Sequence, residues 1–412
     1  MKIPLLLLSI FFTLIIESSS AQNQQMSGKA VDGVTNQPME LVNIFITNTT
    51  YGTTTDHAGK FTLSLPNGHY EVVVSMVGYE PIVYPVILSD TKQPPPLVFK
   101  LTPSQTELSS VSVKTKRDPS WYTNLELFKE GFIGKSEIAS RCKLVNPETL
   151  IIVYDENTNT LKVSAKDLLI IENPELGFRI YYLLIEYVYD YNSKYLTYLG
   201  YPLFEQLTGS KSREKKWQKN RLKAYNGSVM HFVRTLRNEQ LEEEGFNLRR
   251  LIRMPNPDRP TEEQLQEARK QLAIMGTNTP INDDHPIGKI LAKASLPKVI
   301  EKLDTTRVPY SQYLLKGDSH MRQLSFEGFL QVVYTGEKEE PTYVAAESMF
   351  RKRQPTYQTS VISMKQEKVI LDESGSLADP LALTFEGYWG WEKAGDMLPL
   401  DYQPVPVTKS IE

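Results

Sequence analysis

Cysteine is nearly absent from this 412-residue sequence, which contains only Cys142. A single cysteine cannot form an intramolecular disulfide, so the fold must depend on its hydrophobic core. Apolar residues make up 40% of the chain, enough for such a core, and the length suggests two or three domains. The sequence specifies no base for the thiol, so we expect Cys142 to be a small buried side chain rather than a nucleophile.

Histidine is also scarce, and none of its five copies has the spacing of a zinc hydrolase. A zinc carboxypeptidase needs a glutamate three residues after a histidine, so that both side chains reach one metal ion. The histidines are His57, His69, His231, His285 and His320, and the residues three positions later are Lys60, Val72, Arg234, Gly288 and Gln323. The HExxH and G-x-S-x-G motifs and a phosphate-binding glycine loop are absent as well. We therefore expect no enzyme, and we assign no catalytic, metal-binding or cofactor-binding residue.

An excess of one charge is missing too, since the formal net charge is only −3. The overall charge thus gives no electrostatic case for binding nucleic acid. Beyond the N-terminus, no apolar run approaches the length of a transmembrane helix. The N-terminus combines Lys2, an apolar run up to Ile16, and the small residues Ser19 and Ala21. This pattern predicts a signal peptide over residues 1 to 21, cleaved after Ala21; the alternative is a retained anchor.

Residues 22 to 102 contain short segments in which apolar and polar residues alternate. In KFTLSLP, for example, Phe61, Leu63 and Leu65 point to one face of a strand. The pair Asn67–Gly68 predicts a hairpin turn, because both residues tolerate a positive φ, and Gly78 predicts a bend. About seven such segments at this spacing predict a β-sandwich of about 75 residues.

The same stretch resembles the carboxypeptidase-regulatory-like domain, a prealbumin-like sandwich that accompanies some zinc carboxypeptidases. The features that carry the resemblance are Gly28, Asp32, Pro38, the turn TTTDHAGKF and the tripeptide VGY. It covers residues 26 to 102. The family is abundant at the start of TonB-dependent outer-membrane receptors and in Gram-negative envelope proteins, so the resemblance implies an envelope location. From the residues alone, Asp32 and Asp56 are expected to bond to local backbone in turns.

Residues 103 to 118 are polar and follow a proline run, so they are predicted to be a linker. Residues 119 to 412 are predicted to form an α+β domain. Its parts are a β-rich segment at 150–202, expected to be a meander of about five strands, a helical segment at 211–304 and a β-rich segment at 323–390. Thr261 and Gln264 have the spacing of a capping box, with Gly276 at the end of that helix. The many tyrosines of the first β-rich segment are expected to pack in the sheet, with ligand stacking as the alternative.

A basic segment at residues 211 to 223 is the sharpest charge feature, with seven cations around one tryptophan and a single acid, Glu214. The candidate partner-binding residues are Lys211, Arg213, Lys215, Lys216, Trp217, Lys219, Arg221 and Lys223. One interpretation is a solvated helix face; another is contact with an anionic partner, such as lipid headgroups or an acidic protein. Nucleic acid is the least favoured partner, because the export signal opposes it.

The second module resembles bacterial proteins known only by their carboxypeptidase-like regulatory domain, through stretches such as YLGYPLFEQL and FEGYWGWEKAGDMLPLDY. This resemblance implies an envelope protein and carries no activity to any residue. We therefore expect an exported protein of the periplasm or outer membrane with a non-catalytic binding or structural role. Its partner would be an envelope protein or an anionic surface. The alternatives are a hydrolase with an unrecognised site in the α+β domain, and an accessory component of a TonB-dependent outer-membrane system.

Overall fold

The computed structural model describes residues 23–89, 95–104, 117–275, 285–317, 321–347 and 353–405. The chain divides into two compact units. Unit 1 comprises Met1–Thr115 with Tyr201–Leu203, and unit 2 comprises Lys116–Gly200 with Phe204–Glu412. The division at residue 115 falls inside the segment that we predict to be a linker. The predicted signal peptide, most of that linker and Gly276 lie outside the described residues.

Unit 1 contains seven strands in two sheets. The strands are β1 (Gln24–Asp32), β2 (Asn43–Ile46), β3 (Gly52–Thr54), β4 (Lys60–Leu65), β5 (Gly68–Ser75), β6 (Ile82–Leu88) and β7 (Leu97–Leu101). One sheet has the order β4-β1-β7 and the other β3-β2-β5-β6. Phe61, Leu63 and Leu65 are buried between exposed neighbours, as the alternation predicts. They share one core with Ile44 and Val72 of the other sheet, so this part of the chain forms the predicted β-sandwich.

The predicted hairpin at Asn67–Gly68 is wrong. Strand β4 pairs with β1, whereas β5 pairs with β2 and β6, so the two strands lie in different sheets. Neither Asn67 nor Gly68 has a positive φ. Both strands carry an apolar face, and they bury these faces against each other across the sandwich instead of pairing edge to edge. The predicted bend at Gly78 is confirmed, since this residue has φ +83° just after β5.

Asp32 connects two distant parts of unit 1. Its carboxylate accepts hydrogen bonds from the Thr35 amide at 2.7 Å, the Val34 amide at 2.9 Å and the Tyr79 hydroxyl at 2.8 Å. These bonds, that of the Thr35 amide first, lower the pKa of Asp32 to about 2. Asp56 accepts from the amides of Ala58 and Lys60 in the same manner. The predicted turn roles of both aspartates are confirmed, and Asp32 also fixes the tyrosine of the VGY tripeptide.

Unit 2 mixes strands and helices. The strands are β8 (Lys143–Leu144), β9 (Leu150–Asp155), β10 (Thr160–Ala165), β11 (Leu169–Asn173), β12 (Phe178–Asp190), β13 (Tyr195–Gln206), β14 (Phe246–Pro255), β15 (Val299–Arg307), β16 (Leu314–Lys316), β17 (Arg322–Leu324), β18 (Phe329–Lys338), β19 (Tyr357–Met364), β20 (Val369–Leu371) and β21 (Leu383–Gly387). The helices are α1 (Pro119–Phe132), α2 (Lys211–Tyr225), α3 (Val229–Arg237), α4 (Glu262–Met275), α5 (Pro286–Ala292), α6 (Pro341–Glu347) and α7 (Tyr388–Trp391). Assignment of this unit to the α+β class stays a prediction.

The first sheet of unit 2 has the order β8-β11-β12-β10-β9, with β13 also paired to β12. Strands β9 to β13 are the five expected in the first β-rich segment, but their order is not that of a meander. The long strand β12 pairs with β11 through its first half and with β10 through its last residues. Helix α1 covers this sheet, and Phe128 packs edge-on against Tyr187 at 4.9 Å between ring centroids. Tyr182 and Tyr187 are buried in this core, in agreement with the packing role expected for the tyrosines.

A second core forms where α3 packs on the sheet β15-β14-β18-β19-β21. The spacing of Val229, Phe232, Val233 and Leu236 in the sequence predicts that they share one helical face. This face is confirmed for α3, since Phe232, Val233 and Leu236 are buried there. The predicted helical segment 211–304, however, contains strands β14 and β15. In FNLRRLIR of β14, Phe246 and Leu248 alternate as a strand requires, but the pair Arg249–Arg250 interrupts the alternation before Leu251.

Two helix boundaries follow from local sequence. The pair Asn226–Gly227 separates α2 from α3, and Gly227 has φ +78°. The predicted capping box at the start of α4 is confirmed. The Thr261 amide donates to Gln264 Oε1 at 2.9 Å, and the Gln264 amide donates to Thr261 Oγ1 at 3.2 Å. Over the described ranges, no helix combines the length and apolar character needed to cross a membrane.

We expect that Tyr79→Phe and Asp32→Asn lower the unfolding temperature of unit 1. A carboxyl whose pKa is lowered on folding stabilises the fold above its unfolded pKa of about 3.9, and this contribution disappears as the pH falls through the folded value. The difference between wild type and Asp32→Asn should therefore be full above pH 4 and vanish near pH 2. Calorimetry of the whole chain measures it.

All four tryptophans, Trp121, Trp217, Trp389 and Trp391, belong to unit 2, so tryptophan fluorescence supplies an internal control. Fluorescence-detected unfolding should be unchanged in both variants. An unfolding temperature that is unaffected in calorimetry at pH 7 would contradict a stabilising role for the Asp32–Tyr79 bond.

Candidate anion-binding site

Helix α2 carries the predicted basic segment and is fixed to the turn between β11 and β12. The indole Nε1 of Trp217 donates to Pro174 O at 2.8 Å, and the Arg221 guanidinium donates to Leu176 O at 2.7 Å. A Cβ at Gly177, which has φ +69°, would overlap the Trp217 ring, so the turn requires glycine there. Trp217 is 3% exposed and Arg221 is 9% exposed. Both side chains are therefore used inside the fold, and contact of these two residues with a partner stays a prediction.

Two further cations of the segment form ion pairs within unit 2. Lys216 Nζ lies 2.8 Å from Glu175, and Lys223 Nζ lies 3.2 Å from both Glu137 and Glu340. The remaining four candidates are Lys211, Arg213, Lys215 and Lys219. They are exposed, and within the described part of the chain no ion pair involves them. Half of the predicted partner-binding set thus remains available at the surface, and its role stays a prediction.

We expect that Trp217→Ala destabilises unit 2 by roughly 3 to 5 kcal/mol, because it leaves a cavity and removes the bond to Pro174. The double change Lys215→Glu and Lys219→Glu should leave stability within about 0.5 kcal/mol, because both side chains are exposed. Urea unfolding of the whole chain measures both. Lys216 is kept, since reversing its charge would oppose Glu175. Equal destabilisation by the two variants would contradict the division of α2 into a buried and an exposed face.

Unit 2 also contains a cluster of buried carboxylates, which lies where α2, β18 and α7 come together. Glu340 accepts the Glu137 amide at 2.9 Å, and Asp396 accepts the Ser136 hydroxyl. Burial raises the pKa of Asp396 to about 6. It raises the pKa of Glu392 well above the ordinary value, with Asp396 and Glu340 adding to the effect. Neither of the two cavities described below is lined by these carboxylates.

Among the described residues, no group of three or more His, Cys, Asp or Glu side chains has the arrangement to hold a metal ion. His231 lies apart from the carboxylate cluster, 3.4 Å from Glu244, and stacks against Tyr225. Burial lowers the pKa of His231. The contacts of both groups are internal, so we interpret them as structural.

We expect that Glu392→Gln makes unit 2 progressively more stable than wild type as the pH rises from 5 to 8. A carboxyl whose pKa is raised on folding stabilises fully below its unfolded pKa of about 4.3, and this contribution is lost as the pH rises towards the folded value. Glutamine does not ionise, so the variant does not lose stability in this way as the pH rises. Tryptophan-detected urea unfolding at both pH values measures the trend. Glu156→Gln, an exposed change in the turn after β9, should run parallel to wild type, and a parallel course for Glu392→Gln would contradict the burial argument.

One cavity of unit 2 has a volume of about 410 Å³, and its described lining residues are all polar or charged. The lining residues are Arg234, Arg237, Asn238, Arg322, Glu373 and Gln403. They come from the end of α3, from β17, from the turn after β20 and from the C-terminal segment. Three positive charges face one negative charge. A second cavity, of about 60 Å³ beside Tyr310 and Tyr313, is too small for more than water.

Arg234 builds the wall of the 410 Å³ cavity. Its Nε donates to Ser374 O at 2.8 Å, its Nη2 to Leu400 O at 2.9 Å and its Nη1 to Tyr402 O at 3.1 Å. One planar guanidinium therefore joins α3 to the turn after β20 and to the C-terminal segment. Since these bonds occupy Arg234, it positions the site and leaves recognition to the other two arginines.

Arg237 and Arg322 supply the donors for recognition. Arg237 Nη2 lies 2.5 Å from Glu373, and Nη1 lies 3.4 Å from Leu371 O. Arg322 Nε is buried without a hydrogen-bond partner. A buried donor left unpaired is unfavourable and usually indicates an absent ion, water or ligand. Guanidinium groups bind carboxylate and phosphate oxygens in a fixed, bidentate geometry, so this arrangement fits an oxyanion.

The sequence offered little that pointed to this cavity. Arg234 and Arg237 are three residues apart on one helical face, which is the only local signal. Arg322 and Glu373 lie far from Arg234 and Arg237 in the sequence, so no local pattern connects them with α3. The predicted partner-binding residues lie instead on α2, where positive charge is concentrated along the sequence.

Comparison with known proteins identifies unit 1. Residues 26–113 match the model of the CarboxypepD_reg-like domain, which confirms the predicted resemblance over this part of the chain. No curated protein matches the chain.

Several known structures show weak likeness. A DUF3823 family protein from Bacteroides ovatus ATCC 8483 is 11% identical, with 45% of this chain and 82% of that chain covered and a TM-score of 0.14. A protein of unknown function from Bacteroides fragilis NCTC 9343, whose name describes it as membrane-associated, is 12% identical, with coverages of 89% and 93% and a TM-score of 0.16. A 9R-lipoxygenase from Cyanothece PCC8801 is 8% identical, with coverages of 52% and 48% and a TM-score of 0.14. At these TM-scores the likenesses carry no argument about fold or function.

Proposed function

We propose that this chain is an exported, envelope-associated binding protein without catalytic activity, and that unit 2 holds an anionic ligand in the 410 Å³ cavity. The observation that carries the proposal is the meeting of Arg237 and Arg322 in that cavity, with Arg322 Nε buried and unpaired. A volume of this size lies within the usual range for small-molecule sites. The ligand is therefore a small molecule with an anionic group rather than a bare ion.

The lining of the cavity supports binding over hydrolysis. Among the described residues, its lining contains no serine, cysteine or histidine, and the carboxylate present there, that of Glu373, is paired with Arg237. Hydrolysis needs a nucleophile or a general base within reach of the substrate. The hydrolase alternative would require the buried carboxylates, yet these line neither cavity and bond to neighbouring residues of the fold.

Export and an envelope location are supported by two features of the chain. The domain that matches residues 26–113 is abundant in Gram-negative envelope proteins, and the N-terminal segment has the pattern of a signal peptide. The exposed cations Lys211, Arg213, Lys215 and Lys219 offer a second surface for an acidic envelope partner.

We expect that the purified chain binds glucuronate or glucose 6-phosphate and not the neutral sugar glucose. Arg322→Gln should weaken this binding roughly ten- to hundredfold, because a hydrogen bond to a charged group contributes about 1.5–3 kcal/mol. Isothermal titration calorimetry or ligand-observed NMR measures the affinity. Lys215→Gln removes an equal charge from α2 and serves as the matched control.

Specific binding requires that Lys215→Gln retains the affinity of wild type. If neither anion binds, or if Lys215→Gln and Arg322→Gln weaken binding equally, the cavity is not the site and the charge of the whole chain accounts for any attraction.

A further inference from the structure

We propose that Glu373 is a built-in competitor of the ligand: its carboxylate occupies Arg237 in the ligand-free protein, and the anionic group of a small hydrophilic ligand replaces it there. This inference rests on the proposed anion site and adds to it the ligand class and the residue that sets the affinity.

The two side chains of the Arg237–Glu373 pair differ in their exposure to solvent. The Arg237 side chain is 12% exposed, whereas that of Glu373 is 76% exposed. The arginine is therefore held in the wall, while the glutamate reaches it from solvent. Water competes with Arg237 for the exposed carboxylate of Glu373, so a ligand carboxylate or phosphate can displace this carboxylate with little loss.

The backbone around Glu373 stays fixed while its side chain is free to rotate away. Ser374 O accepts from Arg234, the Ser374 amide donates to the Asp372 carboxylate at 2.8 Å, and the Asp372 amide donates to Ser376 O at 2.9 Å. These bonds hold the turn after β20 against α3. Exchange of Glu373 for a ligand then needs one side-chain rotation rather than movement of the turn.

The polar lining restricts the class of ligand. Besides the charged residues, the cavity offers the amides of Asn238 and Gln403, which donate and accept hydrogen bonds as sugar hydroxyls do. Of the side chains that the structure describes, none in the lining is apolar, so a fatty acid or another acid with a hydrocarbon tail would gain little by entering. The lining points to an acidic sugar or a sugar phosphate, and the two are distinguished by the probes used.

The test titrates the full chain with glucuronate, glucose 6-phosphate, glucose and octanoate. Glu373→Gln keeps the shape of the side chain and removes its charge, so it should bind the better anionic sugar roughly three- to fivefold more tightly than wild type at low salt. The gain should shrink as salt rises, because the pair is exposed. Glu156→Gln, which changes the net charge equally outside the cavity, should bind as wild type does.

The outcomes separate the two proposals. Tighter binding by Glu373→Gln alone, with octanoate and glucose inactive, supports the competitor. Unchanged or weaker binding by Glu373→Gln, while Arg322→Gln still weakens binding roughly ten- to hundredfold, overturns the competitor and leaves the anion site standing. Equal gains in Glu373→Gln and Glu156→Gln reduce the effect to net charge and overturn it as well. Absence of binding in both wild type and Glu373→Gln overturns the anion site and the competitor together, and preferential binding of octanoate overturns the ligand class.

Discussion

The three hydrogen bonds of the Arg234 guanidinium are the contact on which the candidate site depends. They join segments that lie between 140 and 168 residues away from Arg234 in the sequence. A lysine could not replace it, because an ammonium group lacks the planar fork that reaches three carbonyls in fixed directions. Without this contact, the turn that carries Glu373 and the C-terminal segment that carries Gln403 would have no common anchor on α3. The cavity is thus a product of long-range polar bonding rather than of any local motif.

Unit 2 uses a buried arginine in the same manner at a second place. Arg221 bonds to Leu176 O and Gly177 O and stacks over the Phe178 ring at 4.0 Å. Burial lowers the pKa of Arg221, but a guanidinium keeps its proton in proteins. Carbonyl oxygens accept its donors without adding a second buried charge. Both arginines hold helices α2 and α3 to turns, and this explains why cations that look like surface features in the sequence lie inside the fold.

Local sequence patterns predicted local structure well, but they predicted the pairing of strands poorly. The alternation around Phe61, the buried face of α3 and the capping box at Thr261 each involve residues within a few positions, so propensity and periodicity suffice. The turn at Asn67–Gly68 has the chemistry of a hairpin, yet the sandwich core decides that β4 and β5 face each other across two sheets. The order of β9 to β13 and the strands hidden in the predicted helical segment depend likewise on partners far away in the sequence.

Charge patterns in the sequence were equally poor at predicting the candidate site. Periodicity located seven cations on α2, but it did not reveal that Trp217, Lys216, Arg221 and Lys223 are used for contacts within unit 2. Arg322 lies far in the sequence from the other two arginines of the cavity, Arg234 and Arg237, and only the fold brings it near them. A charged group whose hydrogen-bond acceptors lie within the fold contributes to folding, whereas a donor left without an acceptor is available to a ligand. Arg322 Nε is a donor of the second kind, whereas Arg322 Nη1 donates to Met321 O at 3.1 Å. For that reason the proposed anion site rests on this single unpaired nitrogen rather than on the dense basic run of α2.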